Sequence, residues 1–254
     1  MTHNESFIIP QWAAPNNVQT LVTTRLGGVS LAPYDSFNLG DHVGDCSGHV
    51  QKNRQKLARQ CQLPDGSLQW LNQVHGNASC EARTDGVVRE ADASFTRIRN
   101  TACVIMTADC LPVLLCDKRG RQVAAVHAGW RGLASGIIEA TLSTFPLPLN
   151  VSAWLGPAIG PSAFEVGDEV VDAFTSLPMS DEFSQLTRQA FVPHVATKGK
   201  WLADLYLLAR IRLKLMGVTD VYGGEYCTWR DESQFYSYRR AGITGRMASL
   251  IWLT

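Results

Sequence analysis

Val123-Ala-Ala-Val-His-Ala-Gly-Trp-Arg-Gly132 reads as a buried strand that ends in a histidine, turns on glycine and enters a helix. Beyond it, Leu133, Ile137, Ile138, Leu142 and Phe145 recur on one helical face. A strand followed at once by a helix is the unit of an α/β architecture, in which ligands gather at the carboxyl ends of strands. His127 stands at such an end, and a helix start offers free N–H groups that suit an anion. Arg131, in the first turn, adds a fixed charge able to grip phosphate or carboxylate through two parallel bonds. The same residues also read as a capped helix with a structural arginine and a hydrogen-bonded histidine.

Similar units flank this one. Val18 to Arg25 reads as a strand closing on Gly27-Gly28, and Val50, Asn53, Leu57 and Cys61 recur at helical spacing. Ser67 to Val74, Ala102 to Thr107, Pro112 to Cys116 and Val151 to Leu155 are strand-like, and Gly167-Asp168 opens a helix. Leu202, Leu205, Ala209, Leu213 and Met216 form a helical stripe stopped by Gly217, while Gln234 to Tyr238 and Met247 to Leu253 read as two closing strands. No Pro/Gly/Ser-rich linker, repeat or charge block interrupts the chain. The expected class is therefore α/β or α+β, with mixed sheets in one domain over residues 1–254.

Composition excludes several roles. At 254 residues the chain can bury a substantial core, and 45% hydrophobic against 18% charged residues is not the make-up of a disordered chain. Lys plus Arg equals Asp plus Glu, 23 each, so there is no basic footprint for nucleic acid or an anionic membrane. No apolar run approaches the ~18–20 residues of a membrane span. Met1-Thr-His-Asn-Glu-Ser6 lacks a basic start and an apolar core, so no signal peptide is expected. The seven cysteines are scattered and include no C-x-x-C pair, which argues against a disulfide framework and for a reducing cytoplasm.

Two further stretches carry chemistry. Met106-Thr-Ala-Asp-Cys-Leu-Pro112 places Cys110 at a corner after a strand, and Trp70-Leu-Asn-Gln-Val-His-Gly76 places His75 at another strand end. Each alone reads equally as a structural residue. Together, His75, Cys110 and His127 supply two imidazoles and a thiolate, a set suited to Zn²⁺ with a fourth position open. The same donors suit Cu²⁺, and a cysteine hydrolase would use Cys110 as nucleophile with His127 or His75 as base. A multicopper oxidase needs a histidine-rich trinuclear cluster, and the chain has only six histidines.

Ordered motifs along nearly the whole chain resemble one family. They include Thr23-Thr-Arg-Leu-Gly-Gly-Val-Ser30, Tyr34-Asp-Ser-Phe-Asn-Leu-Gly40, His42-Val-Gly-Asp45 and Gln73-Val-His-Gly76. Thr107-Ala-Asp-Cys-Leu-Pro112, His127-Ala-Gly-Trp-Arg-Gly132, Leu155-Gly-Pro-Ala-Ile-Gly-Pro161, Phe164-Glu-Val-Gly167, Cys227-Thr228, Phe235-Tyr-Ser-Tyr-Arg-Arg240 and Thr244-Gly-Arg-Met247 complete the set. The chain is similar to the laccase-domain family, bacterial cytoplasmic proteins once called polyphenol oxidases and now described as zinc-dependent purine nucleoside phosphorylases. Phe37 departs from the leucine more usual at that position.

The resemblance implies a sandwich of mixed β-sheets flanked by helices, similar to cysteine-hydrolase toxins, with His75, Cys110 and His127 as metal ligands. It implies phosphorolysis of adenosine, inosine, guanosine and methylthioadenosine, and adenosine deamination. It also implies, as an alternative, an amidase that removes misincorporated Ser from a peptidoglycan precursor. A copper polyphenol oxidase ranks below both. The implied partners are a purine nucleoside and phosphate, with a homodimer as a candidate assembly. Phosphorolysis passes through an oxocarbenium-like transition state, so the site must hold phosphate and the sugar. Arg131 and Arg25 are the candidates for the anion, Asn38 for sugar hydroxyls, and Asp109 for moving protons in deamination. Asn38 and Asp109 also read as turn and structural residues, and a non-catalytic domain in which zinc ties strand ends together remains an open reading.

Overall fold

The computed structural model describes residues 6–64, 66–176 and 180–254; the N-terminal residues read for a signal peptide lie, apart from Ser6, outside them. Two mixed sheets form the centre. The first has five strands in the order Phe7–Ile8, Val18–Thr23, Met247–Leu253, Ala102–Thr107, Leu68–Gln69. The second has six, in the order Asp220–Gly223, Val151–Leu155, Leu111–Asp117, Val123–Ala128, Ala93–Thr96, Ser79–Glu81. Most neighbours are antiparallel, but Leu68–Gln69, Asp220–Gly223 and Ser79–Glu81 each pair in parallel.

Alternation of side chains builds four layers. Cys103 and Ile105 point inward to meet Leu114, Cys116, Val123, Ala125 and Trp154 of the other sheet. Ala102 and Val104 point the other way and pack on Leu57 and Cys61 near the end of the Ser47–Gln60 helix. On the opposite outer face, Val113, Leu115, Ala124 and Val126 bury against Leu133, Ile138, Leu142, Leu208 and Ala209 of the helices. Both faces of the central strands are covered, so they read as continuous apolar runs rather than alternating ones. The expected sandwich of mixed sheets between helices is the fold observed.

Four local expectations are corrected. The stripe from Leu133 to Phe145 is not one helix: Gly136, at φ +90°, breaks it into Trp130–Ala134 and Ile137–Leu142. Leu202 belongs to the Lys200–Ala203 strand, and the helix spans Leu205–Leu215, started by the Asp204 carboxylate accepting from the Leu207 N–H. Ser67 to Val74 splits at Trp70 into two short strands that pair in different sheets. Gln234 to Tyr238 forms no strand. Phe235 and Tyr236 are fully buried, but the segment's backbone is satisfied by the Asp231 carbonyl and the Arg240 guanidinium instead of a ladder.

Candidate metal centre

Cys110 lies where the chain leaves the first sheet for the second. The Ala102–Thr107 strand ends, three residues turn, and Leu111–Asp117 begins in the other sheet. The turn needs Asp109 at φ +93°, a conformation L-residues disfavour. It is held there by its own carboxylate, which accepts from Thr228 Oγ1 and the Arg239 N–H, each at 2.6 Å. The antiparallel register pairs Leu111 with Ala128, so Cys110 falls beside Gly129, one residue beyond the strand that carries His127.

His75 arrives from a different direction. Gln73 copies a strand partner: its amide oxygen accepts from the Met106 N–H and its amide nitrogen donates to the Met106 carbonyl, both at 2.8 Å. The chain then turns at His75, φ +60°, and the N–H groups of Val74, His75 and Gly76 converge on the Asp92 carboxylate at 3.2, 2.9 and 2.7 Å. Three successive N–H groups around one anion form a backbone nest. The same carboxylate bonds His127 Nδ1 at 2.7 Å and is itself fully buried. Asp92 therefore shapes the loop that presents His75 and fixes the ring of His127, leaving Nε2 of His127 toward the cluster.

The donor atoms of His75, Cys110 and His127 lie within 4.8 Å of one another, and Cys110 Sγ stands 3.8 Å from His75 Nε2. For tetrahedral Zn²⁺ the S···N edge is about 3.5 Å, given bond lengths of about 2.3 and 2.0–2.1 Å. The Cys110–His75 edge thus fits such an ion after a few tenths of an ångström of contraction, and the widest spacing in the cluster, up to 4.8 Å, must close further. The two imidazoles meet edge to face, with centroids 4.8 Å apart. His127 is buried, Cys110 half-buried and His75 exposed, so one side of the cluster opens to solvent.

Charge distribution within the cluster follows from its contacts. Burial alone would raise the Cys110 thiol, but hydrogen bonds and positive charge from His127 and His75 outweigh it and bring the pKa down to about 6. Burial would likewise lower His127, yet its bonds to Asp92 and to Cys110 hold it up at about 9. Near neutral pH the metal-free cluster is a thiolate–imidazolium pair. A divalent ion must displace the imidazolium proton, because only neutral imidazole binds metal. Calorimetric titration with Zn²⁺ at pH 7.5, in buffers of different ionisation enthalpy, is expected to show release of about one proton per ion. Release of none would contradict this protonation state.

Gly129 makes room for the cluster. A Cβ there would stand 2.9 Å from Cys110 Sγ and 3.3 Å from His75 Cδ2. Its φ is that of an ordinary extended residue, so alanine strains the contacts and not the backbone. Gly129→Ala is expected to keep the fold by circular dichroism while weakening metal affinity about tenfold or more; an unchanged affinity would show that the three ligands yield freely.

The remaining sequence-based candidates sit elsewhere in the chemistry. Asn38 is fully buried and saturated: its amide nitrogen donates to the Gly40 carbonyl and Asp45, and its oxygen accepts from the N–H groups of Gly40 and Arg246. No polar atom of its side chain is left for a sugar hydroxyl, which corrects that expectation in favour of the turn role. Arg25 is engaged by the Asp35 carboxylate and carbonyl, the Glu232 carbonyl and the ring of Tyr236. Arg131 is exposed, with its guanidinium carbon 4.3 Å from the Trp130 ring centroid. Asp109 acts on the backbone corner rather than as a free carboxylate. Cys227 is buried, its sulfur accepting from the Gly160 N–H at 3.3 Å. A cavity of 730 Å³ lined by Arg54, Trp70 and Val88 among others includes none of the three cluster residues.

Sequence reading missed Asp92. Its segment, Arg89-Glu-Ala-Asp-Ala-Ser94, has no distinctive spacing, and only the need of a ligating histidine for a partner on its second nitrogen would have prompted a search.

Residues 19–254 match the family described as multi-copper polyphenol oxidoreductase laccase. A protein of Pseudomonas aeruginosa named purine nucleoside phosphorylase is 51% identical over 249 residues, covering 98% of each chain. A protein of Escherichia coli with the same activity in its name is 49% identical over 248 residues, covering 97% of this chain and 98% of its own. The crystal structure of a Neisseria meningitidis protein superposes with a TM-score of 0.90 at 50% identity, covering 98% of this chain and 99% of its own.

Proposed function

We propose that this chain, which belongs to the multi-copper polyphenol oxidoreductase laccase family, is a cytoplasmic zinc-dependent purine nucleoside phosphorylase of a single domain. The observation that carries the reading is the His75–Cys110–His127 cluster, its donor atoms within 4.8 Å and one side open, in a chain about half identical to proteins named for that activity. Adenosine, inosine, guanosine and methylthioadenosine are the proposed substrates, with adenosine deamination as a second outcome at the same centre. When bound, Zn²⁺ would supply Lewis acidity toward a substrate oxygen or a water. The chain's own residues hold the ligands: Asp92 keeps His127 in one tautomer and His75 in its turn, and the Asp109 corner sets Cys110. No helix among the described residues is long and apolar enough to cross a membrane.

One observation favours a second reading. Cys110, His127 and Asp92 form a thiolate–imidazolium–carboxylate series, the arrangement of a cysteine hydrolase. That series fits the amidase acting on a peptidoglycan precursor. A copper polyphenol oxidase is disfavoured, because six histidines in the whole chain cannot supply a trinuclear cluster beside this one.

Mass-spectrometric product analysis with adenosine, with and without phosphate, separates the readings, with His75→Ala purified identically as control. Adenine and ribose-1-phosphate formed only with phosphate, and not by the variant, is the expected result. Inosine without phosphate would assign the centre to deamination. No turnover by folded, zinc-loaded protein would overturn the nucleoside reading and leave the amidase.

A further inference from the structure

A guanidinium with free N–H groups is one way to hold the phosphate of phosphorolysis, and most of the arginines considered for it are already committed. Arg25 is held by Asp35, the Glu232 carbonyl and the Tyr236 ring, whereas Arg131, exposed over the Trp130 ring, has no hydrogen bond among the described residues to fix its guanidinium. Arg239 donates to the Glu165 carbonyl and lies over Phe164. Arg240 donates to the carbonyls of Thr228, Trp229 and Phe235 and pairs with Glu232. Arg246 differs. It immediately precedes the Met247–Leu253 strand, whose register pairs Met247 with Thr107; one step further, Arg246 falls opposite Ala108, two residues before Cys110. Its Nη1 donates to the carbonyls of Thr244 and Gly245, which fixes the guanidinium, while Nε and Nη2 have no partner among the described residues. The stem packs over Gly40, where a Cβ would meet Arg246 Cγ at 2.8 Å. The guanidinium is half-buried, 5.9 Å from the ring centroid of the exposed Tyr238.

We infer that Arg246, anchored through Nη1 and free at Nε and Nη2, is the phosphate-holding residue of the His75–Cys110–His127 centre, an inference that rests on the proposed phosphorylase activity. The free Nε and Nη2 edge can present two parallel donors to one phosphate, a bidentate contact a lysine cannot copy. Electrostatic coupling places the residue within reach of the cluster. After burial, the strongest influences on Arg246 are the negative charges of Cys110 and Asp109, and His42 in turn feels the positive charge of Arg246. Asp109 does not claim the guanidinium, because both its oxygens are taken by Thr228 and the Arg239 N–H.

The test is steady-state kinetics with Arg246→Met, which keeps the stem over Gly40, and Arg246→Lys, which keeps the charge without the fork. Thermal melting of the zinc-loaded proteins with and without inorganic phosphate is measured in parallel. Arg246→Met is expected to raise KM for phosphate about 10- to 100-fold, with KM for nucleoside within about twofold, and to lose the phosphate-dependent rise in melting temperature. Arg246→Lys is expected to recover only part of the phosphate KM. A folded Arg246→Met with unchanged phosphate KM overturns the inference and leaves the phosphorylase reading standing. If wild-type protein forms no ribose-1-phosphate, that reading fails and melting alone decides the inference. A phosphate-dependent rise present in wild type and absent in Arg246→Met sustains an anion site at Arg246, and its absence from wild type refutes one.

Discussion

Asp92→Asn is expected to lower metal affinity about 10- to 100-fold while leaving the protein folded, as is usual when the residue orienting a metal ligand is changed. The reason is the double duty of one carboxylate. It accepts from His127 Nδ1 at 2.7 Å, and it also closes the nest formed by the N–H groups of Val74, His75 and Gly76. An asparagine fills the same volume but carries no charge, and its NH₂ group cannot accept from a backbone N–H. Either the nest or the His127 bond must then face a donor. Two ligands out of three lose their orientation at one substitution, which is why the effect should exceed that of breaking a single outer contact. Asp92→Ala should act more severely, because it leaves three N–H groups and one imidazole nitrogen unpaired in a buried place. Zinc content after dialysis against a graded chelator, read beside the circular dichroism spectrum, checks both variants. Wild-type zinc retention by Asp92→Asn would show that the His75 turn and the His127 tautomer persist without the charge.

The proximity of His75, Cys110 and His127 is foreshadowed in the sequence and the part of Asp92 is not, for a physical reason. A ligand must be a residue of a particular type at the end of an element, and elements announce their ends: glycine follows His75 and soon follows His127, and proline soon follows Cys110. A residue that orients a ligand needs only to be close in space. Asp92 immediately precedes the Ala93–Thr96 strand, whose pairing with Val123–Ala128 sets Ala93 opposite Val126 and so brings Asp92 beside His127. Nothing local marks that neighbour. Arg246 shows the same limit, since its position opposite Ala108 depends on the pairing of the last long strand with Ala102–Thr107.

The fold follows the same division. Ala102–Thr107, Val151–Leu155 and Met247–Leu253 begin and end where their apolar runs do, because both faces of these strands are covered. Gln234 to Tyr238 misled through the same rule. Phe235 and Tyr236 are buried as deeply as any strand residue, yet apolar content reports burial and not ladder pairing. The glycine at 136 was visible, but an apolar stripe that continues past a glycine on both sides does not reveal a break; only its positive φ does. Which strands share a sheet lay outside sequence pattern, because the crossing of the chain from one sheet to the other at Asp109 is a tertiary event.

Cys110→Ser should remove nucleoside turnover by about a thousandfold or more, an effect of the size seen when a group central to a site's chemistry is lost. At pH 7 the thiol, with its pKa brought down to about 6, is largely thiolate, and it partners a His127 held at about 9. A serine hydroxyl at that place stays neutral, so the cluster loses its one anionic donor and His127 loses one of the two partners that keep it protonated. Removing that partner lowers the His127 pKa, because the thiolate contributes to raising it. In Cys110→Ser, histidine titration followed by NMR on metal-free protein should therefore shift downward from about 9, still held partly up by Asp92. Cys110→Asp separates the two roles open to the thiolate. A carboxylate can ligate Zn²⁺ but cannot replace sulfur as a nucleophile attacking an amide. Recovery of measurable zinc binding and phosphorolysis in Cys110→Asp would mean that Cys110 acts as a ligand. If that variant binds zinc and remains inert, while wild type is inactivated by iodoacetamide with alkylation at Cys110 in the presence of saturating zinc, the nucleophile reading prevails. The half-buried sulfur is within reach of that reagent, and a bound ion should shield it, so protection by zinc is the expected result.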